Sequence, residues 1–114
     1  MAIVTAGHLD QLKSTVPEKF LNQFNALITG DQVLRGKPDP DPYLRGANAL
    51  GLQPAECIAV ENAPVGVQSA KRANNYCIAI CSTVGRDVLI EADEILERFE
   101  KKISKTLFIK IYFF

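Results

Sequence analysis

Residues 57–70 constrain the fold of this chain more than any other stretch. Four uncharged residues at 57–60 predict a short buried strand, and Glu61 and Asn62 follow at once. Pro64 then marks a turn, and small residues recur on one face of the helix predicted after it. Buried parallel strands have this composition, and α/β proteins bind ligands at the carboxyl ends of such strands. The stretch therefore predicts an α/β fold with a ligand site beside Glu61, against the plainer alternative of a solvated strand-to-helix turn.

The same alternation of strand and helix patterns runs through most of the chain. Strand-like apolar runs occur at residues 2–5, 26–29, 57–60 and 76–80. Helical spacing occurs near residues 8–14, 17–22, 42–50 and 65–73. Such alternation predicts a parallel sheet that is covered by helices on both faces. Residues 94–99 fit a short edge strand or a helix, and the pattern leaves both open.

Side-chain signals mark where two of these helices begin. Thr15 and Glu18 have the spacing of a capping box, which predicts a helix start at that point. Asp41 is a predicted N-cap, and Pro42 suits the first helical position. The apolar positions of the helix after Pro42 are Leu44, Ala47 and Leu50.

Composition excludes several classes of protein. Thirteen basic and thirteen acidic residues cancel, so no surplus of positive charge favours nucleic acid or an anionic membrane as a partner. The chain has no apolar run close to the ~20 residues that a membrane helix needs. Its first residues do not resemble a signal peptide, because His8 and Asp10 interrupt them too early.

The three cysteines, Cys57, Cys77 and Cys81, indicate a reducing environment. Cys77 and Cys81 lie four residues apart in a strand-like segment, which places them ~13 Å from each other at ~3.3 Å per residue. That separation is too long for a disulfide. We therefore expect reduced structural thiols in a cytoplasmic protein.

The last fourteen residues differ in character from the rest. Residues 106–114 are β-prone and carry one charge, so they would promote aggregation if they were exposed. We therefore predict one core domain at residues 1–100 and an atypical apolar tail at 101–114, which either forms an extra strand or is an artefact of where the reading frame ends.

Polar side chains lie at or just beyond the predicted strand ends. Thr5 ends the first strand, and Ala6 follows it with a backbone amide. Lys37 lies in a proline-rich turn that cannot be helical, and Glu61 and Asn62 end the central strand. A carboxylate beside a second oxygen donor suits Mg²⁺, which takes few protein ligands and prefers oxygen. Each residue alone also has a plain structural explanation, such as a solvated lysine.

Taken together and in this order, three segments resemble the haloacid dehalogenase superfamily. They are Ile-Val-Thr-Ala-Gly at 3–7, Gly-Lys-Pro-Asp-Pro at 36–40 with Tyr43, and Val-Glu-Asn-Ala-Pro-Val-Gly-Val at 60–67. The nearest group is the β-phosphoglucomutase-like branch, and the resemblance covers about residues 2–98. It implies a three-layer Rossmann-like core with a parallel sheet, and a phosphatase or phosphomutase that acts on a small phosphorylated metabolite.

The resemblance also implies a role for each matching residue. Thr5 would donate its hydroxyl to a phosphoryl oxygen, helped by the amide of Ala6. Lys37 would neutralise the phosphoryl group and the attacking carboxylate, as in-line phosphoryl transfer requires. Glu61 and Asn62 would hold Mg²⁺ directly or through water. Many members have Asp where this chain has Asn62, so the metal affinity is expected to be lower here.

One departure from the family pattern is large. The family needs a nucleophilic Asp in an Asp-x-Asp motif, on a strand before Thr5 that lies in the middle of the sheet. The Asp-x-Asp of this sequence, Asp39-Pro40-Asp41, belongs to the turn after Lys37. We therefore expect the chain to lack the first strand and the cap domain. We hypothesise that residues 107–114 fill the vacant position or pair with a second copy of the chain.

Three functions remain open from the sequence. The first is part of an aspartyl-phosphate hydrolase whose nucleophile segment is absent from these residues. The second is a catalytically inactive homologue that binds phosphate, a metal or a protein partner. The third is a receiver-like signalling domain, which would need a phospho-accepting Asp at a strand end, and no predicted strand ends in one.

Overall fold

Six strands form one parallel sheet in the structure, a computed structural model that describes residues 1–81, 84–97 and the backbone of 109–113. The strands are β1 (Ala2–Val4), β2 (Ala26–Ile28), β3 (Cys57–Glu61), β4 (Tyr76–Ile80), β5 (Glu94–Leu96) and β6 (Ile109–Phe113). Their order across the sheet is β2-β1-β6-β3-β4-β5, and each neighbouring pair runs parallel. The α/β class and the parallel sheet are therefore as predicted.

Four α-helices lie between the strands in the part of the chain that the structure describes. They are α1 (Leu9–Thr15), α2 (Glu18–Leu21), α3 (Asp41–Ala49) and α4 (Pro64–Arg72). Short 3-10 turns occur at Pro54–Glu56 and Arg86–Leu89. Within the described ranges, no helix has the length and apolar character that crossing a membrane requires.

The helices cover the sheet on both faces. Successive residues of a strand point to opposite faces. In β1, Ile3 packs with Leu12 and Leu21 from α1 and α2, whereas Val4 belongs to a core with residues of α3 and α4. The second core includes Tyr43, Ala47, Val67 and Ala70. The result is a three-layer arrangement of helices, sheet and helices.

The last strand of the chain lies in the middle of this sheet. Ile111 of β6 is opposite Ala2 on one side and opposite Ala59 on the other. Strand β6 therefore occupies the position between β1 and β3 that the resemblance assigns to the family's first strand. The boundary proposed near residue 100 lies outside the described residues and stays a prediction.

Both side-chain caps proposed from the sequence are wrong. Helix α1 continues to Thr15, whose hydroxyl donates to the carbonyl oxygen of Gln11 at 2.8 Å instead of capping the next helix. Helix α3 already includes Asp41, whose Oδ2 accepts a hydrogen bond from Arg45 Nε at 3.0 Å. In both places a bond within the same helix replaces the expected cap.

The buried face of α3 differs from the sequence prediction at Leu44, whereas Ala47 is buried and Leu50 packs against the core as predicted. Leu44 is 41% exposed, whereas Tyr43 is completely buried. Gly46 and Ala47 complete the buried face at i+3 and i+4 from Tyr43. The prediction of Leu44 as a buried residue is therefore wrong. Tyr43, whose side chain ends in a polar hydroxyl, faces the core instead.

The central position of β6 can be tested by proline substitution. Proline removes a backbone N–H donor, which a strand with two neighbours loses at greater cost than an edge strand. We expect Ile111→Pro in β6 to lower the melting temperature clearly more than Ile95→Pro in the edge strand β5. Thermal unfolding followed by circular dichroism measures both, and equal shifts would contradict the central placement.

Candidate active site

Three segments meet at the carboxyl edge of the sheet. Thr5 follows β1, is 6% exposed, and donates its backbone N–H to Ile28 O at 2.9 Å. Its hydroxyl oxygen accepts from the N–H of Gly7 at 3.1 Å. Lys37 comes from the loop after β2, and its ammonium nitrogen Nζ lies 3.3 Å from the carbonyl oxygen of Val4. The predicted residues Thr5 and Lys37 are therefore gathered at the end of one strand.

A buried ion pair joins this edge to the end of β3. Lys37 Nζ lies 2.6 Å from Oε1 of Glu61, and the two side chains are 8% and 2% exposed. Burial removes both charges from water, so the pair persists only if its geometry and further hydrogen bonds are good. Lys37 satisfies that condition through Val4, and Glu61 satisfies it through a tyrosine.

Tyr43 touches both charges of the pair. Its hydroxyl donates a hydrogen bond to Glu61 Oε1, the same oxygen that accepts from Lys37. Its ring centroid lies 5.1 Å from Lys37 Nζ, within the range of a cation–π contact. Burial, together with the charge of Glu61, raises the pKa of Tyr43 well above its ordinary value. The phenol therefore stays protonated and remains a donor at neutral pH.

The loop that carries Lys37 is tied to α4. Ser69 donates its hydroxyl to the carbonyl oxygen of Asp39 at 2.6 Å, and Arg72 Nη1 lies 3.3 Å from the carbonyl oxygen of Pro38. The peptide bond between Lys37 and Pro38 is cis. Asp39 Oδ1 accepts a hydrogen bond from the N–H of Asp41 at 3.0 Å, so the Asp39 carboxylate stabilises the turn.

Two glycines let backbone approach this edge closely. A Cβ atom at Gly66 in the first turn of α4 would collide with the carboxylate of Glu61. A Cβ atom at Gly30 would collide with the carbonyl oxygen of Ala6, and the N–H of Gly30 donates to Gly7 O at 2.8 Å. Glycine therefore allows the loop after β1 to touch the loop after β2, and α4 to touch Glu61.

Two other polar residues lie in or beside the matching segments. His8 is exposed at the N-terminus of α1, where its side chain makes no capping bond. Asn62 is half-buried directly after β3. The contacts of Tyr43 and Gly66 were not predicted from the sequence, although both residues stood in the matching segments. A tyrosine in the first turn of the helix that follows Lys37 was the available signal.

Carboxylate and amide oxygens at this edge are the kind of ligand that magnesium prefers, but there are few of them. Within the described ranges, His, Cys, Asp and Glu form no group of three or more that could hold a metal. Both hydrogen bonds that the described residues make to the Glu61 carboxylate go to Oε1, whereas Oε2 lies beside Gly66 of α4. Mg²⁺ commonly keeps several waters and binds one or two carboxylates together with substrate phosphate. Glu61 with Asn62 therefore fits a partial magnesium site.

Comparison with known proteins identifies the family of this arrangement. A sequence profile of haloacid dehalogenase-like hydrolases matches residues 1–80. Validoxylamine A 7'-phosphate phosphatase of Streptomyces hygroscopicus subsp. limoneus is 38% identical over 98 residues, 85% of this chain and 46% of that protein. Hexitol phosphatase A of Escherichia coli (strain K12) is 39% identical over 100 residues, 88% of this chain and 46% of that protein.

A solved structure agrees with these relatives. The crystal structure of CbbY from Rhodobacter sphaeroides in complex with phosphate has a TM-score of 0.76 and 25% identity. The match covers 88% of this chain and 47% of that one. The chain thus spans about half the length of the proteins that it matches.

The contact between Gly66 and Glu61 can be tested with two matched substitutions. Alanine normally favours a helix over glycine by about 0.5–1 kcal/mol. We nevertheless expect Gly66→Ala to destabilise the protein by about 1–3 kcal/mol, because its Cβ would displace the buried carboxylate. Urea unfolding gives the difference. Gly36→Ala is the control, since no atom lies within 4 Å of a Cβ there, and an equal effect of both would contradict the contact.

Proposed function

Because this chain belongs to the haloacid dehalogenase-like hydrolase family, we propose that it forms the phosphate- and metal-binding part of a Mg²⁺-dependent phosphatase or phosphomutase. Its substrate would be a small phosphorylated metabolite, since one relative is named for a phosphorylated validoxylamine and another for hexitol phosphate hydrolysis. The observation that carries the proposal is the buried Lys37 ammonium, held beside Thr5 at the carboxyl edge of a parallel sheet.

Lys37 would supply a fixed positive charge to the phosphoryl group. Its ammonium group has three N–H donors, of which Glu61 and the Val4 carbonyl take two. The third would be directed to a phosphoryl oxygen or to the attacking carboxylate. A charge that is already oriented in a water-poor site stabilises the transition state without reorganisation.

Thr5 and Ala6 would bind the phosphoryl oxygens from the other side. The hydroxyl of Thr5 is held by the N–H of Gly7, so the side chain has a defined position at the strand end. It would donate its proton to one phosphoryl oxygen, and the N–H of Ala6 would donate to another. This arrangement would orient the phosphorus for attack, which is the main task of the protein in phosphoryl transfer.

Glu61 and Asn62 would hold the magnesium ion. When bound, Mg²⁺ would neutralise charge on the phosphoryl oxygens. Glu61 would contribute a carboxylate oxygen, and Asn62 would contribute its side-chain carbonyl oxygen or orient a water ligand. Further ligands would come from water, from the phosphoryl group and from a segment that is not among these residues.

The nucleophile would be an aspartate on such a segment. Its carboxylate oxygen would attack phosphorus, and the ester P–O bond would break as the leaving alcohol takes a proton from a general acid. Water would then cleave the aspartyl-phosphate to return the carboxylate and release phosphate. Asp39 and Asp41 are not candidates, because their carboxylates bind backbone and side-chain donors of their own turn and helix.

The roles of Lys37 and Glu61 are tested by complementation. We expect this chain alone to hydrolyse an aryl phosphate in Mg²⁺ at least about 10³-fold more slowly than a mixture with the N-terminal half of a homologous enzyme, because a nucleophile is required. The first strand of that half would have to replace β6 between β1 and β3. Lys37→Ala and Glu61→Ala should each abolish the restored activity. His8→Ala is the control and should leave it unchanged, since His8 is exposed and makes no side-chain cap at the start of α1. Restored activity that survives both site substitutions would contradict the assignment.

A second candidate is a binding module without catalysis, and the position of β6 favours it. Phe113 lies opposite Val4, so the strand beside the site ends in apolar residues and not in a carboxylate. The module would bind phosphate or a partner through the same edge. Phosphate that raises the melting temperature without any turnover, even with the added N-terminal half, would support this function over the enzyme.

The apolar tail could also join two copies of the chain by exchanging β6. Deleting residues 106–114 removes the strand that pairs with both β1 and β3, and leaves unpaired backbone in the middle of the sheet. We expect the truncated chain to be unfolded or to associate, as measured by circular dichroism and size-exclusion chromatography. A truncated chain that stays folded and monomeric would contradict this.

The cysteines favour a cytoplasmic location for the protein. Cys57, Cys77 and Cys81 are all free thiols in the structure. Burial raises the pKa of Cys57, and it raises the pKa of Cys77 to about 12, so both remain protonated. Reduced, unreactive thiols are typical of a reducing compartment.

A further inference from the structure

We propose that Tyr43 is a positioning residue whose hydroxyl fixes the orientation of the Glu61 carboxylate and, through it, the direction of the Lys37 ammonium. The inference rests on the proposed function for the ligands that these two charges would bind. It adds a residue of α3 to a site that otherwise comes from strand ends and loops.

The geometry places Tyr43 between the two charges. Its side chain is completely buried, and its hydroxyl donates to Oε1 of Glu61. The Lys37 ammonium reaches that same oxygen at 2.6 Å and also lies 5.1 Å from the tyrosine ring centroid. One side chain thus contacts the anion through its hydroxyl and the cation through its ring.

The numbers of donors and acceptors explain what the hydroxyl does. With two donors on Oε1, the carboxylate is held at one oxygen, and Oε2 lies beside Gly66 of α4. Without the phenol, Lys37 would be the only described side-chain donor to Glu61, and the carboxylate could rotate to take the ammonium with both oxygens. Lys37 would then be drawn away from the phosphoryl group. The hydroxyl of Tyr43 therefore keeps Glu61 from binding the Lys37 ammonium through both carboxylate oxygens.

Packing alone does not account for a tyrosine here. A phenylalanine would fill nearly the same volume in the core without bringing a hydroxyl into a buried place, where each polar group must be paired. Hydrogen bonds from neighbours to a metal-ligating side chain orient it, and their loss commonly costs 10–100-fold in metal affinity. Tyr43 would orient the Glu61 carboxylate in this way.

Tyr43→Phe removes the hydroxyl and keeps the ring. Tyr76→Phe is a matched control, because the Tyr76 hydroxyl also donates to a carboxylate, Glu94, at 2.7 Å, but at the surface on β4. Magnesium binding to the full chain is measured by calorimetry. The ammonium signal of Lys37 is measured in the same chains by ¹⁵N NMR without metal, a readout that does not depend on activity.

We expect Tyr43→Phe to weaken magnesium binding about tenfold and to shift the Lys37 signal, whereas Tyr76→Phe changes neither. Unchanged magnesium binding together with an unchanged Lys37 signal in Tyr43→Phe would overturn the inference. If the unsubstituted chain binds no magnesium but Tyr43→Phe still shifts the Lys37 signal, Tyr43 positions the pair and the metal part of the proposed function is wrong.

A second measurement covers the case in which Tyr43→Phe does not fold. The ¹³Cζ resonance of Tyr43 reports on the hydrogen bond of its hydroxyl. Lys37→Met removes the second donor from Oε1 with little change in volume, so we expect the Tyr43 resonance to move. A resonance that stays in place would show that the two donors are not coupled through Glu61, and would overturn the inference.

Discussion

The buried ion pair between Lys37 and Glu61 is the interaction on which the rest of the site depends. It connects residues 24 positions apart, from the loop after β2 and the end of β3, with both side chains nearly inaccessible to water. Removing one partner of such a pair would leave an unpaired buried charge, which typically costs about 3–5 kcal/mol. The pair therefore holds the loop and the strand in one register, and the Val4 carbonyl and the Tyr43 hydroxyl add further hydrogen bonds to it.

The parallel sheet brings these groups together because all of its strands end at the same edge. Its middle position matters most, since β1 and β3 are not neighbours and need a strand between them to pair their inner backbone groups. Strand β6 fills that position from the far end of the sequence. The apolar composition of the tail, unusual for an exposed terminus, is what a central parallel strand requires.

Much of this arrangement could be predicted from the sequence. Thr5 and Glu61 at strand ends and Lys37 in the loop after β2 were enough to predict that these side chains gather at one edge, because the carboxyl edge of a parallel sheet follows from the alternation of strands and helices. The contact of Tyr43 could not be predicted from apolar spacing, which favoured Leu44 as the inward residue of α3. The choice between adjacent helix positions depended on a polar partner across the core, and periodicity carries no information about such a partner.

The ion pair also determines what the site can bind. In the absence of ligands the two charges compensate each other, so the cluster is stable without a bound ion. An anion bound to the Lys37 ammonium would compete with Glu61 for that positive charge. A cation bound to Glu61 would compete with Lys37 for the negative charge of the carboxylate. A phosphoryl group accompanied by a divalent cation restores the balance for both residues at once. On the proposed function, this compensation favours the substrate with its metal over either one alone.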